Sequence, residues 1–220
     1  MGNLFIERID YEIEKHSLLK HIFYQMWSEG NLTIKHLQGY SKEYFQLVKI
    51  VRTFVESIFK LIKDSSLKRV VGLNLKEESE HIEPWIMFSA AMGVNRNDLI
   101  NYEGKNETNI AVFALSRLTR LSLEEAVAAM YAYEKQLPKI SRSKIDGLNK
   151  FYGVKNKEAT KYFEIHEEVD LIHSEVWKNI LKNTPEEKQE LAFNATRHSM
   201  EAQNMLLDSV QKNYVYLSSK

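Results

Sequence analysis

Three residues in YFEIHEEVDLIHSEVW, residues 162 to 177, could do chemistry together: His166, Asp170 and His173. Their spacing is i, i+4 and i+7. On an α-helix that places them within about 60° of one another, on one face over two turns. Ile165, Val169, Ile172 and Val176 are read as lying close to that face, so the triplet should point inward. Two imidazoles and a carboxylate cost roughly 2 kcal/mol or more apiece to bury without partners. A metal ion would satisfy them; so would a hydrogen-bonded core cluster centred on Asp170. Glu167, Glu168 and Glu175 are read as a solvated face.

Two further stretches carry ligand types. In LNLKEESEHIEPW, Glu78 and His81 stand at i and i+3, and Glu77 and His81 at i and i+4. The Glu-x-x-His unit is the one that carboxylate-bridged di-metal bundles use. In AAMYAYEKQLP, Glu134 follows a run of small and apolar residues. Each stretch alone also reads as an ordinary exposed helix. Together they offer carboxylates and imidazoles with no thiolate, a set that suits iron or manganese. Six ligands on three helices would hold two ions, and such a pair can activate dioxygen.

The elements that must position these residues are helical. The chain has 220 residues, 44 % of them hydrophobic and 27 % charged, with three prolines and eight glycines. Apolar residues return at three and four throughout. The spans expected are Leu4 to Ser28, Thr33 to Lys63, Ser66 to Met92 with a bend near Pro84, Asn95 to Tyr102, Asn109 to Thr119, Ser122 to Leu137, Pro138 to Tyr152, Lys157 to Asn183, and Thr184 to Tyr214. Ser122 with Glu125 forms a capping box, and Thr184 with Pro185 reads as an N-cap followed by a first-turn proline. No alternation of strand length and no repeat is visible. The fold class is all-α: one domain, residues 1–220, a compact bundle of seven to nine helices.

Thirty basic residues balance thirty acidic ones. That balance gives no electrostatic reason to expect nucleic acid or an anionic membrane as a partner. No apolar run approaches the roughly 18 residues of a membrane span, and charges stud the first twenty residues. A cytoplasmic protein is expected. The absence of cysteine excludes disulfides, thiolate ligands and a cysteine nucleophile.

The chain resembles the haem-oxygenase-like di-metal oxidases. Within them it is most similar to the family of the chlamydial protein associating with death domains, the 4-aminobenzoate synthases. The resemblance covers almost the whole chain. It is carried by HIFYQMWSEGNLT, LQGYSKEYF, NLKEE, HIEPWIMFSAAMGV, AAMYAYEKQLPKISRSKIDGLNKFYG and YFEIHEEVDLIH. It implies a haem-oxygenase-like bundle, related to the pyrroloquinoline-quinone synthase and TenA folds, and a homodimer. It also implies two metal ions, iron with iron or iron with manganese, and dioxygen as co-substrate. The ligands carried over are Glu78, His81, Glu134, His166, Asp170 and His173. Relatives separate the first glutamate and histidine by seven positions, and here that position is Asn74. Glu78 is the choice from the NLxxE pattern, with Glu77 as its substitute.

By the same resemblance, 4-aminobenzoate for folate synthesis is made from the enzyme's own tyrosine and lysine. The matching positions are Tyr24 and Lys144, and Tyr40 and Tyr44 are placed in the same pocket. From the residues alone, Tyr24 with Phe23, Trp27, Tyr40 and Tyr44 is an aromatic stripe of the kind that fills cores. Two other functions stay open. One is a di-metal oxidase acting on a separate small molecule such as an amino acid or fatty acid. The other is a helical interaction module without catalysis. His16, His21, His36 and His198 show no partner spacing and are read as surface residues or supports around the site, with His21, three positions before Tyr24, within reach of the pocket.

Overall fold

A computed structural model describes residues 2–216; positions 1 and 217–220 of the expected domain lie outside the described residues. Among the described residues every regular element is helical, in twelve α-helices. They are α1 (Gly2–Lys15), α2 (Ile22–Glu29), α3 (Ile34–Val48), α4 (Val51–Leu61), α5 (Ser65–Glu78), α6 (Ile82–Ala91), α7 (Arg96–Ile100), α8 (Asn106–Leu118), α9 (Leu123–Glu134), α10 (Leu137–Phe151), α11 (Lys157–Leu181) and α12 (Glu186–Val210). A 3-10 turn, Leu18–Lys20, links α1 to α2, and α12 relaxes into a π-helical turn, Gln211–Tyr216.

The all-α reading holds. The three longest spans expected near the N-terminus are each split. Ser17 and the 3-10 turn separate α1 from α2, Lys49 and Ile50 separate α3 from α4, and Ser79 to His81 separate α5 from α6. The last break falls before Pro84. That proline sits in the first turn of α6, where a missing N–H leaves no hydrogen bond unmade.

Local chemistry sets the ends. Gly30 ends α2 in the left-handed region, at φ 77°. Thr33 and His36 cap α3 reciprocally, and Ser122 and Glu125 cap α9 as the sequence indicates. Pro185, one residue beyond the expected cap, precedes α12.

The two 25-residue helices organise the packing. α12 lies against α8 and α9, and α11 runs past α6, α9 and α10. One contiguous hydrophobic cluster joins residues from Phe5 to Val215. The alanines of α9 (Ala126, Ala128, Ala129 and Ala132) are buried, which lets α12 approach closely. This seats the end of α9, where Glu134 stands, beside α11. No helix among the described residues is long and apolar enough to cross a membrane.

Candidate metal centre

The inward face of α11 differs in composition from the expected stripe. Tyr162, His166, Asp170, His173 and Trp177 recur at four, four, three and four, and all are buried. Ile165, Val169 and Val176 are only half-buried, and Ile172 is 68 % exposed. A residue next in sequence is turned about 100° away on a helix. The buried stripe is therefore made of aromatic rings and ligand types, with the aliphatic side chains on its flank.

Opposite that stripe, the break between α5 and α6 presents Glu78 and His81. Glu78 is the last residue of α5 and His81 is the N-cap of α6. His81 Nδ1 lies 3.1 Å from Glu78 Oε2. The His81 and His166 rings are 4.4 Å apart. His173 Nδ1 stands 3.9 Å from Glu78 Oε1 and 3.7 Å from Asp170 Oδ1, beyond hydrogen-bond reach. Glu134 closes the group: one ligand atom each from Glu78, Glu134 and His173 lie within 4.8 Å of one another.

The structure separates the two adjacent glutamates. The Glu78 side chain is buried, and that of Glu77 is 53 % exposed. Glu77 Oε2 sits 2.7 Å from His173 Nε2, the outer nitrogen of that ring. A carboxylate on the outer nitrogen fixes the tautomer and raises the basicity of the inner one. Glu134 is held by the indole N–H of Trp177. His166 Nδ1 lies 2.7 Å from the carbonyl of Tyr162, which leaves its Nε2 for the site.

Charge is poorly balanced without a further partner. Burial, reinforced by Asp170, pushes the Glu134 carboxyl well above the usual range. Burial, reinforced by Glu78, does the same to Asp170. Burial would also raise Glu78, but the His81 hydrogen bond and the nearby His81, His166 and His173 carry it below its usual value. Burial and the neighbouring His81 push His166 down to about 3.

Among the described residues seven buried side-chain atoms have no hydrogen-bond partner, and three of them are Glu134 Oε1, Asp170 Oδ2 and His173 Nδ1. Orphaned buried polar atoms are rare in folded proteins because each costs the desolvation of its group. Here three belong to one cluster, and all are of ligand type. A cation would satisfy all three and reverse the carboxyl shifts, so the residues present fit a metal.

The four aromatic-pocket positions form a second cluster. Lys144, on α10, is 3 % exposed. Its Nζ lies 4.8 Å from the Tyr24 ring centre, 5.0 Å from Tyr40, 5.1 Å from Tyr44 and 5.1 Å from Phe163. Tyr40 Oη accepts from Lys144 Nζ at 2.5 Å and lies 3.2 Å from Tyr24 Oη. Burial pushes the Lys144 amine well below its usual value, toward the neutral form. The same burial raises Tyr24 and Tyr40, and takes Tyr44 to about 12. Phe163 lies one turn before His166, so α11 joins the two clusters.

Sequence reasoning passed over Tyr162, Trp177 and Trp85. Tyr162 stands four before His166, and Trp177 four after His173, so extending the helical spacing by one turn each way finds both. Asn74 is also buried, with Nδ2 unpartnered, on the same α5 face as Val71 and Glu78. His21 does not reach the pocket: it caps α2 and pairs with Asp208. His36 serves the α3 cap.

An all-helical bundle enclosing buried carboxylates and imidazoles is the architecture of a metal-binding protein class. A family model described as iron-containing redox enzyme matches residues 63–204, and the chain belongs to that family as an oxidoreductase. The matched span holds all six cage residues and Lys144; Tyr24, Tyr40 and Tyr44 precede it. The chain is 31 % identical over 210 residues to 4-aminobenzoate synthase of Chlamydia trachomatis, covering 93 % of this chain and 91 % of that one. It is 32 % identical over 229 residues to 4-aminobenzoate synthase of Nitrosomonas europaea, covering 96 % and 93 %.

Among solved structures, a TenA homologue from Pseudomonas syringae matches with TM-score 0.82 at 17 % identity, covering 96 % of this chain and 92 % of that one. A domain with a haem-oxygenase-like fold from Shewanella denitrificans matches with TM-score 0.82 at 15 % identity, covering 99 % and 94 %. At such identities the likeness speaks for the fold.

Proposed function

We propose that this enzyme forms 4-aminobenzoate by oxidising its own Tyr24, with Lys144 as the source of nitrogen. The observation that carries the reading is the buried Lys144 amine. It touches Tyr40, lies over the Tyr24 ring, and has no ion pair among the described residues. A structural role explains such a lysine badly, because methionine would fill the space without the cost of a buried amine. A neutral amine has a free lone pair and is a nucleophile. The name shared by the relatives supplies the product.

Glu78, His81, Glu134, His166, Asp170 and His173 would hold two metal ions, with Glu77 orienting His173 from outside. Iron in that cage, with dioxygen, would supply the oxidising power. The protein's own groups do the rest. Tyr40 holds Tyr24 and Lys144 in one hydrogen-bonded row. Phe23, Trp27 and Trp85 pack against Tyr40 and keep water away. Tyr24 would supply the aromatic carbons and is consumed, so each chain turns over once.

The test is Tyr24→Phe. The variant is expected to bind two equivalents of Fe(II) anaerobically and to release no 4-aminobenzoate when oxygen is admitted. Product from that variant would overturn the self-consuming reading, and many turnovers on an added amino or fatty acid would replace it with oxidation of a separate substrate. A chain that takes up no metal would leave only an interaction module.

A further inference from the structure

A continuous row of rings joins the two clusters. The Tyr162 ring stacks on the His166 imidazole, with centres 4.1 Å apart and planes at 29°. Trp85 meets Tyr162 at 4.7 Å. On its other side Trp85 stacks on Tyr44 at 5.1 Å and reaches Tyr40 at 5.8 Å. Tyr40 lies 6.3 Å from Tyr24. Every ring in this row is buried.

We propose that Tyr162 and Trp85 are an electron relay between the metal cage and the Tyr24–Tyr40 pair. The proposal rests on the reading of Tyr24 as the residue that is oxidised. Electron transfer weakens steeply with distance, so short hops between touching oxidisable rings outpace one long jump. Trp85 occupies the crossing point. Its other neighbours, Phe88 and Phe163, are far harder to oxidise than an indole or a phenol.

Tyr24 would lose one electron, which would pass through Tyr40 or Tyr44, then Trp85, Tyr162 and His166, to the oxidising power that iron held by Glu78, His81, Glu134, His166, Asp170 and His173 would supply with dioxygen. The electron would be taken up there, by the iron and dioxygen that serve as oxidant. The phenolic proton of Tyr24 passes to Tyr40 Oη, and the proton of Tyr40 passes to Lys144 Nζ. Tyr24 is left as a neutral radical, Tyr40 is unchanged, and Lys144 gains a proton.

The row also has a reason to end where it does. Trp85 Nε1 donates to the Ser41 carbonyl at 2.9 Å, and a carbonyl is too weak a base to keep the indole proton. The Tyr24–Tyr40 pair ends on an amine. An oxidised Trp85 therefore passes its deficit on, and an oxidised Tyr24 retains it.

The experiment compares the iron-loaded wild type with Trp85→Phe, Trp85→Tyr and Tyr162→Phe. Each is mixed with oxygen, freeze-quenched and examined by electron paramagnetic resonance, with ring-deuterated tyrosine to identify the radical. All should bind Fe(II) with wild-type stoichiometry. Trp85→Phe and Tyr162→Phe should form the tyrosyl radical at least about tenfold more slowly, equal to about 1.4 kcal/mol in barrier. Trp85→Tyr, still oxidisable, should recover part of the rate, which a purely packing role would not give. In the Tyr24→Phe background, peptide mass spectrometry should find oxidation stranded on Trp85 or Tyr44.

Radical formation at the wild-type rate in Trp85→Phe would overturn the relay, and would favour a direct path past Asp170 to Tyr44. A wild type that forms no radical on Tyr24 would instead overturn the reading on which the relay rests. The two failures are thus distinguishable.

Discussion

Lys144 departs sharply from the ordinary behaviour of a lysine, which is to keep its amine in water. Its amine is enclosed by Tyr24, Tyr40, Tyr44 and Phe163, and burial drives it toward the neutral form. The unfolded chain holds a proton on this lysine up to its ordinary value of 10.5, while the folded chain gives it up at lower pH. Across that window the unfolded state binds more protons, so native stability should rise with pH toward 10.5. Lys144→Met removes the linked proton and keeps the volume. It should flatten that rise and raise stability at neutral pH by at least about 1 kcal/mol, or roughly 2–4 °C in melting temperature. Thermal unfolding of the metal-free proteins across neutral to alkaline pH measures both. A variant less stable than wild type, with an unchanged pH slope, would show that Lys144 is charged and paired. The sequence marks this lysine only through its resemblance to relatives, because burial depends on neighbours from α2, α3 and α11 that are distant in the chain. The histidine triplet is legible without help, because its spacing is local to one helix.

At the scale of elements, the seam between α2 and α10 sets where that lysine points. Gly147 lies against Trp27, and a β-carbon there would stand 2.6 Å from the indole Cδ1. Trp27 Nε1 donates to the Lys144 carbonyl at 3.2 Å, one turn earlier on α10. Gly147→Ala should push α10 off α2. Overpacking of this kind costs about 1–3 kcal/mol, partly offset by up to roughly 1 kcal/mol from alanine's better helix propensity. Urea unfolding reads the stability, and the yield of 4-aminobenzoate per chain should fall with it. A fully stable, fully active variant would mean that the seam does not position Lys144. Helix type and order are readable from periodicity, yet the break before His81 is not. The apolar pattern of LNLKEESEHIEPWIM runs on without a glycine, and Pro84 draws attention to the wrong place. The break turns on Ser79 and Glu80, whose amides bond back to Lys76 and Glu77. It leaves Glu78 buried beside His81 and Glu77 half-exposed on the outer nitrogen of His173.

At the scale of the whole molecule, the cage ties distant parts of the chain together. Its residues come from α5, the start of α6, the end of α9 and the middle of α11. Any ion that binds this assembly and not the unfolded chain stabilises the fold by mass action, by about 2.7 kcal/mol at a hundredfold excess over Kd. Removing metal with a chelator should therefore lower the melting temperature by roughly 5–10 °C, and adding Fe(II) anaerobically should restore it. An unchanged melting temperature would leave the three orphaned cage atoms without an explanation.

Isotopic labelling tests whether the enzyme consumes itself, as proposed. Protein made with ring-¹³C tyrosine, loaded with Fe(II) and given oxygen with no added substrate, should release ring-labelled 4-aminobenzoate. The yield should not exceed one molecule per chain, and the parent chain should lose the Tyr24 side chain. Unlabelled product, or labelled product beyond one per chain, would contradict the account.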